Sequence, residues 1–193
     1  AANPLHYLEV IAATNSCAEQ PLPPNGTCPL ASINLAQLVS APFTTDARLD
    51  VTQLRQLVRV AVRMLDNSLD VSRFALDAQR QQAQDQRRIG VGVTGVANAI
   101  AMMGVRYGSS KAVFLLGSWM QTIQNAAYGA SALLANERGA FPLYDADKHL
   151  ASRGIQALDQ DIRALVEQHG LRNGTLTTIA PTGTTSMFAG NVS

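Results

Sequence analysis

The run Asn15-Ser16-Cys17-Ala18-Glu19 places an amide, a thiol and a carboxylate at alternate positions. In an extended loop, residues i, i+2 and i+4 point to one side. Asn15, Cys17 and Glu19 are therefore expected to converge, with small Ser16 and Ala18 facing away. A cysteine nucleophile works as a thiolate and needs a cation, a helix N-terminus or a metal beside it. No Lys or Arg precedes Arg48, and a neighbouring carboxylate disfavours a thiolate. The set suits a neutral thiol or a sulfur radical beside a carboxylate base better than a thiol hydrolase built on Cys17 and Glu19. The bland alternative is a structural cysteine in a polar loop.

A second candidate is Ala180-Pro181-Thr182-Gly183-Thr184-Thr185-Ser186. Pro181 stops an apolar stretch, and a hydroxyl-rich turn leads towards a helix. Free backbone N–H groups joined by Thr and Ser hydroxyls can hold an anion without lysine; an ordinary helix cap would read the same way. Gly90-Val91-Gly92-Val93-Thr94-Gly95 matches the dinucleotide fingerprint in letters, but its context fails. Gln-Asp-Gln-Arg-Arg precedes it instead of an apolar strand, and no Asp or Glu lies between Asp85 and Glu137 to hold a ribose. These glycines are expected to allow close packing of a strand and a helix. Cys17 and Cys28 lie far in sequence from His6, His149 and His169, so no metal-ligand spacing exists. Asn25-Gly26-Thr27 and Asn173-Gly174-Thr175 read as Asn-Gly turns.

Elements that could position these residues follow from periodicity. Three prolines and Gly26 make 14–29 a loop. Asp50 is an N-cap candidate for a helix with a stripe of Leu54, Leu57, Val58, Ala61 and Leu65. Arg55, Arg59 and Arg63 lie on another, solvated face. Gln79 to Arg88 is nearly all polar. Ile89 to Gly104 reads as a strand running into a helix, 112–136 and 155–169 as helices, the latter closed by Gly170, and 176–180 as a strand. Strands alternating with helices predict an α/β fold with parallel pairing.

Composition sets the frame. Of 193 residues 47% are hydrophobic and 15% charged, which excludes a disordered tail. A net charge of +1 leaves no electrostatic footprint for nucleic acid or an anionic membrane. Two cysteines, no signal-like leader and no long apolar run point to a reducing, soluble, cytoplasmic setting.

Taken together, these phrases resemble the catalytic subunit of ribonucleotide reductases, most of all the adenosylcobalamin-dependent class. The resemblance rests on Asn15-Ser16-Cys17-Ala18-Glu19-Gln20-Pro21-Leu22-Pro23-Pro24, Cys28-Pro29-Leu30-Ala31-Ser32-Ile33-Asn34-Leu35 and Arg87-Arg88-Ile89-Gly90-Val91-Gly92. Glu137-Arg138-Gly139-Ala140-Phe141-Pro142 and Ala180-Pro181-Thr182-Gly183-Thr184 follow in the family's order. One departure is Ser16, where the family usually carries Pro.

The resemblance implies part of a ten-stranded α/β barrel, incomplete here. It would have a finger loop at 14–29, helical and strand units over 30–174 and a phosphate-binding turn at 180–186. It implies that Cys17 is the thiyl-radical cysteine, Glu19 the base for the ribose 3′-hydroxyl and Asn15 an amide on the ribose hydroxyls. Cys28 would be one half of the reducing dithiol, and Pro181, Thr182, Gly183, Thr184 and Thr185 would hold substrate phosphates. The intact enzyme would use adenosylcobalamin, a ribonucleoside diphosphate or triphosphate and a thioredoxin-type reductant, and would supply deoxyribonucleotides for DNA replication. The chain reads as a barrel segment that is inactive alone and has an exposed apolar flank or a tendency to self-associate as a homo-oligomer. A non-catalytic, nucleotide-binding relative is the alternative.

Overall fold

The computed structural model describes residues 3–193. In chain order the elements are β1 (Ala13–Thr14), β2 (Pro21–Leu22), β3 (Leu30–Asn34), a 3-10 turn (Leu35–Leu38), β4 (Val39–Ser40) and β5 (Arg48–Leu49). They continue with α1 (Val51–Val71), α2 (Asp77–Gln86), β6 (Gly90–Thr94), α3 (Val96–Met102), α4 (Ser110–Arg138), α5 (Ala146–Leu150), α6 (Arg153–Gln156), α7 (Gln160–His169) and α8 (Gly183–Phe188).

The site is carried by a parallel pair, β3 and β6, in register from Leu30 opposite Gly90 to Asn34 opposite Thr94. Every residue of β6 is buried, as a central parallel strand requires. The stretch 175–178 runs along the free side of β6: Val91 N–H donates to Leu176 O and Thr178 N–H to Val91 O. The sequence predicts a full strand at 176–180, but only one bridge forms, between Val91 and Thr177. The chain then leaves the sheet, with Ile179 exposed and Pro181 lacking the N–H that a ladder needs. The glycine reading needs a related adjustment. A Cβ on Gly92 would lie 2.6 Å from Thr178 O, so this glycine admits the neighbouring backbone more than a helix.

Helix α1 begins where Asp50 accepts a hydrogen bond from Gln53 N–H at 2.8 Å. It buries Leu54, Val58, Ala61, Val62, Leu65 and Leu69 against the core, and packs with the long helix α4. The predicted helix at 155–169 is divided. Arg153–Gln156 ends before Leu158, and Asp159 restarts the chain as the N-cap of α7. The polar run, to which the sequence assigns no element, falls mostly in the helix α2, which buries only Ala83 and Gln86.

Among the described residues no sheet closes: β3 has β6 on one side and no strand on the other. Leu57, Val60 and Met64 on α1 are exposed beside this open edge and share a groove with Ala31, Ile33 and Leu38. The architecture is an incomplete α/β barrel with an apolar flank.

Two buried polar clusters fasten the frame. Asp66 on α1 is fully buried and meets Arg87, Arg138 and Arg172, while Asn173 donates to it at 3.0 Å. Arg87 itself caps α2 in the left-handed conformation. Near the N-terminus, Arg88 forms a buried ion pair with Glu9 and donates to Pro21 O at 3.3 Å, tying the base of the 15–20 loop to β6.

His149 is fully buried in an aromatic cage of Tyr7, Phe141 and Tyr144. Its Nδ1 lies 3.3 Å from Tyr7 Oη, and its Nε2 has no partner. Burial, with a smaller contribution from His6, pushes its pKa from 6.5 down to about 4. The unfolded chain therefore binds the extra proton first as pH falls. Stability from this group is complete above pH 6.5 and is lost towards pH 4, by about 3 kcal/mol. Chemical denaturation of His149→Phe between pH 7 and pH 4 should show a correspondingly shallower loss than the wild type; equal slopes would contradict this assignment.

Candidate functional site

The loop 15–20 is held at its neck by β1 and β2, with Ala13 opposite Leu22 and Thr14 opposite Pro21. Proline is tolerated there because this two-stranded ribbon is all edge. Inside the neck the chain turns tightly: Ala18 N–H donates to Asn15 O at 3.1 Å, and Ala18 has φ +64°. This corrects the expected alternation of Asn15, Cys17 and Glu19, because side chains alternate in that way only along an extended chain. The Asn15 side chain is instead turned to the loop's own backbone, where its Oδ1 accepts from Gln20 N–H at 3.0 Å. Asn15 thereby braces the loop.

Cys17 and Glu19 do share a space. They line a cavity of about 640 Å³ with Thr182, Gly183, Thr184 and Thr185. Pro181 lies on its rim, and β3 and Met64 of α1 form further wall. Cys17 is exposed at the cavity, with Ser16 Oγ 3.9 Å from its Sγ. No Lys, Arg or His lines the space. That lining gives a thiolate no cation and counts against the thiol-hydrolase reading.

Glu19 is fixed through its backbone, whose carbonyl accepts from Thr178 Oγ1 at 3.2 Å. The Gln20 side-chain amide donates in the other direction, to the main-chain carbonyl of Thr177 at 3.4 Å. One Glu19 carboxylate oxygen, Oε2, is buried without a hydrogen-bond partner. Buried acceptors are ordinarily satisfied, so this oxygen is one of a few exceptions among the described residues. The sequence reading missed Thr177 and Thr178 as supports; the Thr178 hydroxyl just before Ile179-Ala180-Pro181 is a signal that could have suggested one, while Thr177 acts through its main-chain carbonyl, which has no sequence signal.

Cys28 lies outside the cavity lining, in a partly buried position before β3. Burial pushes its thiol up to about 12, outweighing the opposite pull of Arg88 and of a Thr175 hydrogen bond. It is held as a neutral S–H at physiological pH, 3.8 Å from Pro29 O. The turn at the far wall contains a β-branched residue in the left-handed region, Thr182 at φ +55°. Such a conformation costs about 1–3 kcal/mol and persists only where the surroundings impose it. Thr182 is the N-cap of the six-residue α8, and its carbonyl accepts from Ser186 N–H at 2.7 Å.

These features define a class: an α/β-barrel segment whose finger loop brings a thiol and a carboxylate to a hydroxyl-rich turn at the end of parallel strands. Residues 1–193 match the family described as ribonucleotide reductase, barrel domain, and the chain belongs to that family. It is 41% identical over 189 residues to a vitamin B12-dependent ribonucleoside-diphosphate reductase of Mycobacterium tuberculosis (strain CDC 1551 / Oshkosh), covering 98% of this chain and 24% of that protein. It is 35% identical over 188 residues to the enzyme of the same name from Thermoplasma acidophilum, covering 97% of the chain and 22% of that protein. A ribonucleoside-diphosphate reductase subunit alpha of Chlamydia muridarum is 31% identical, with 94% of the chain and 19% of that protein covered. The chain thus spans about a quarter or less of the length of these curated relatives. No helix among the described residues is long and apolar enough to cross a membrane.

Proposed function

We propose that this chain is the part of a ribonucleotide reductase that carries the finger loop and the substrate-phosphate turn, reducing ribonucleotides to 2′-deoxyribonucleotides in the intact enzyme. The observation that carries this reading is the single cavity shared by Cys17, Glu19 and Thr182–Thr185. Its two chemical ends suit the two ends of a nucleoside phosphate. The hydroxyls and backbone amides of 182–185 would hold the phosphates, leaving the ribose towards Cys17 and Glu19. No cation lines the wall, so charge is met there by oriented dipoles.

At the ribose end, the sulfur of Cys17, as a radical in the intact enzyme, takes the hydrogen atom from the 3′ carbon and becomes S–H. The Glu19 carboxylate accepts the 3′-hydroxyl proton while the 2′-hydroxyl takes a proton from the dithiol and leaves as water, and the Cys17 S–H afterwards returns its hydrogen atom to the 3′ carbon. Cys28 belongs to a dithiol whose oxidation to a disulfide supplies the two electrons, and a thioredoxin-type protein restores it. Burial keeps Cys28 protonated, which suits a donor of hydrogen and electrons more than an attacking thiolate. Asn15 serves this chemistry through the loop it braces. The finger loop spans 14–29 and the phosphate turn 180–186 in this reading, and the enzyme works in the cytoplasm.

Adenosylcobalamin is the cofactor that the relatives' names suggest. A corrin with its nucleotide tail is far larger than the 640 Å³ cavity. The residues present offer the thiol on which such a cofactor would act but no cradle for it, and no step is derived through it.

The test is a calorimetric titration of the 193-residue chain with ADP, ATP and adenosine, beside a turnover assay with adenosylcobalamin, ADP and a dithiol. Phosphate-dependent binding without deoxyribonucleotide is the expected result. Equal affinity for adenosine and ADP would overturn the phosphate reading; product from the chain alone would overturn its role as a mere part of the catalytic unit.

A further inference from the structure

The left-handed turn at Thr182 has an identifiable restraint. Thr182 Oγ1 donates to Thr94 Oγ1 at 3.0 Å, and Thr94 Oγ1 donates in turn to Asn191 Oδ1 at 3.2 Å. Thr94 is the last residue of β6 and is buried, as is the Thr182 it holds. The chain beyond α8 is moored at the same point: Gly95 N–H donates to Val192 O at 3.0 Å, and Val192 N–H to Asn98 Oδ1 at 2.9 Å. Asn34, at the end of β3, donates to Ala189 O at 3.2 Å. The turn is thus clamped from both ends onto the carboxyl ends of the two parallel strands, the edge at which open α/β sheets bind ligands.

The Gly90–Gly95 phrase acquires a role from this arrangement. Gly95 has φ +71°, and a Cβ there would lie 2.8 Å from Asn34 Oδ1 and 2.9 Å from Asn191 Nδ2. The final glycine of the phrase clears the space in which the two asparagines work. The residue before it supplies the hydroxyl that reaches the turn.

We propose that Thr94 is a positioning residue for the site: its hydroxyl, oriented by Asn191, locks Thr182 in the left-handed conformation and so aims the amides and hydroxyls of 183–185 into the cavity. The ligand side of this inference rests on the phosphate reading above, whereas the lock itself does not. Thr94→Val keeps the shape of the side chain and removes its contacts with Thr182, Asn191 and Val192 O, leaving Thr182 Oγ1 unpartnered in buried surroundings. Thr94→Ser keeps these contacts and loses only the methyl group.

Two measurements on the 193-residue chain test it: amide hydrogen exchange at Ser186, whose N–H bonds Thr182 O, and affinity for inorganic pyrophosphate. In Thr94→Val, exchange should quicken at least tenfold and affinity fall about tenfold or more, with Thr94→Ser within about threefold of wild type on both. Wild-type exchange in Thr94→Val would overturn the proposal, and so would equal damage in Thr94→Ser, which would trace the effect to the methyl group. Faster exchange with unchanged pyrophosphate affinity, or a wild type that binds no pyrophosphate, would uphold the lock and sink the phosphate reading. If Thr94→Val does not fold, Asn191→Ala removes the nearer acceptor of the Thr94 hydroxyl and leaves Val192 O at 3.5 Å; exchange should still quicken, and no change there would overturn the orientation by Asn191.

Discussion

Asp66→Ala should lower the stability of the chain by about 3–5 kcal/mol, a large share of the 5–15 kcal/mol by which ordinary domains are stable. The magnitude follows from what is left behind. Asp66 is fully buried, and the guanidinium of Arg87 against it is itself nearly so, at 5% exposure. Removing the carboxylate leaves that cation with Asp70 as its one anion, at 2.8 Å, and the main-chain carbonyl of residue 66, at 2.9 Å. Asn173 loses the acceptor of its amide, though Arg87 O still lies 3.2 Å away. Arg138 and Arg172 are more exposed and can turn to water, so the cost concentrates on Arg87.

The exposed Arg63–Glu137 pair provides the contrast. It holds the Glu137 carboxyl down to about 2, yet both partners are nearly half exposed, and water screens such pairs so well that they contribute little. Urea denaturation of Asp66→Ala, Asp66→Asn and Glu137→Gln should rank them in that order of damage. An Asp66→Ala midpoint within error of wild type would show that the cluster is not what joins α1 to the α2–β6 junction.

How much of this was legible in the sequence differs by element for physical reasons. Helix α1 announced itself because Asp50 and the Leu54–Leu65 stripe are local signals, a cap and a 3.6-residue period. Helix α2 did not, since a helix resting on Ala83 and Gln86 buries too little to leave an apolar stripe. The break between α6 and α7 was hidden by apolar spacing through Ile155, Leu158 and Ile162 that continues across it. The interruption comes from Asp159, whose N–H donates to Asn125 of α4, a residue distant in sequence.

The site shows the same division. Residue types suggested a chemistry for Cys17 and Glu19, but the placement of Asn15 depended on a turn at Ala18, and alanine at φ +64° carries no sequence signature. The Thr94–Thr182 contact spans 88 residues, and no local pattern could foretell it. The letters of the glycine phrase gave a false family on their own. Their use became clear only from Thr178 and Asn191, the neighbours that the glycines admit.

In an intact reductase carrying this segment, Cys17→Ala should reduce deoxyribonucleotide formation to background while leaving nucleotide affinity within about twofold. The asymmetry comes from the cavity's geometry. The phosphate-facing turn is held by Thr94 and the β6 end, whereas Cys17 sits exposed on a loop held by Asn15, Thr178 and the β1–β2 neck. Losing the sulfur disturbs neither support. Glu19→Gln should retain the loop, because Glu19 is anchored through its backbone carbonyl, and should lower kcat by about 10²–10⁴-fold, the usual worth of a positioned acid–base group. Its amide would still fill the volume but could not accept the 3′-hydroxyl proton that the proposed mechanism assigns to the carboxylate. A fall in kcat/KM that comes entirely from KM would mean that Glu19 binds substrate without taking its proton. Wild-type turnover in Cys17→Ala would remove the sulfur from the reaction altogether, leaving the cavity as a nucleotide-binding site without radical chemistry.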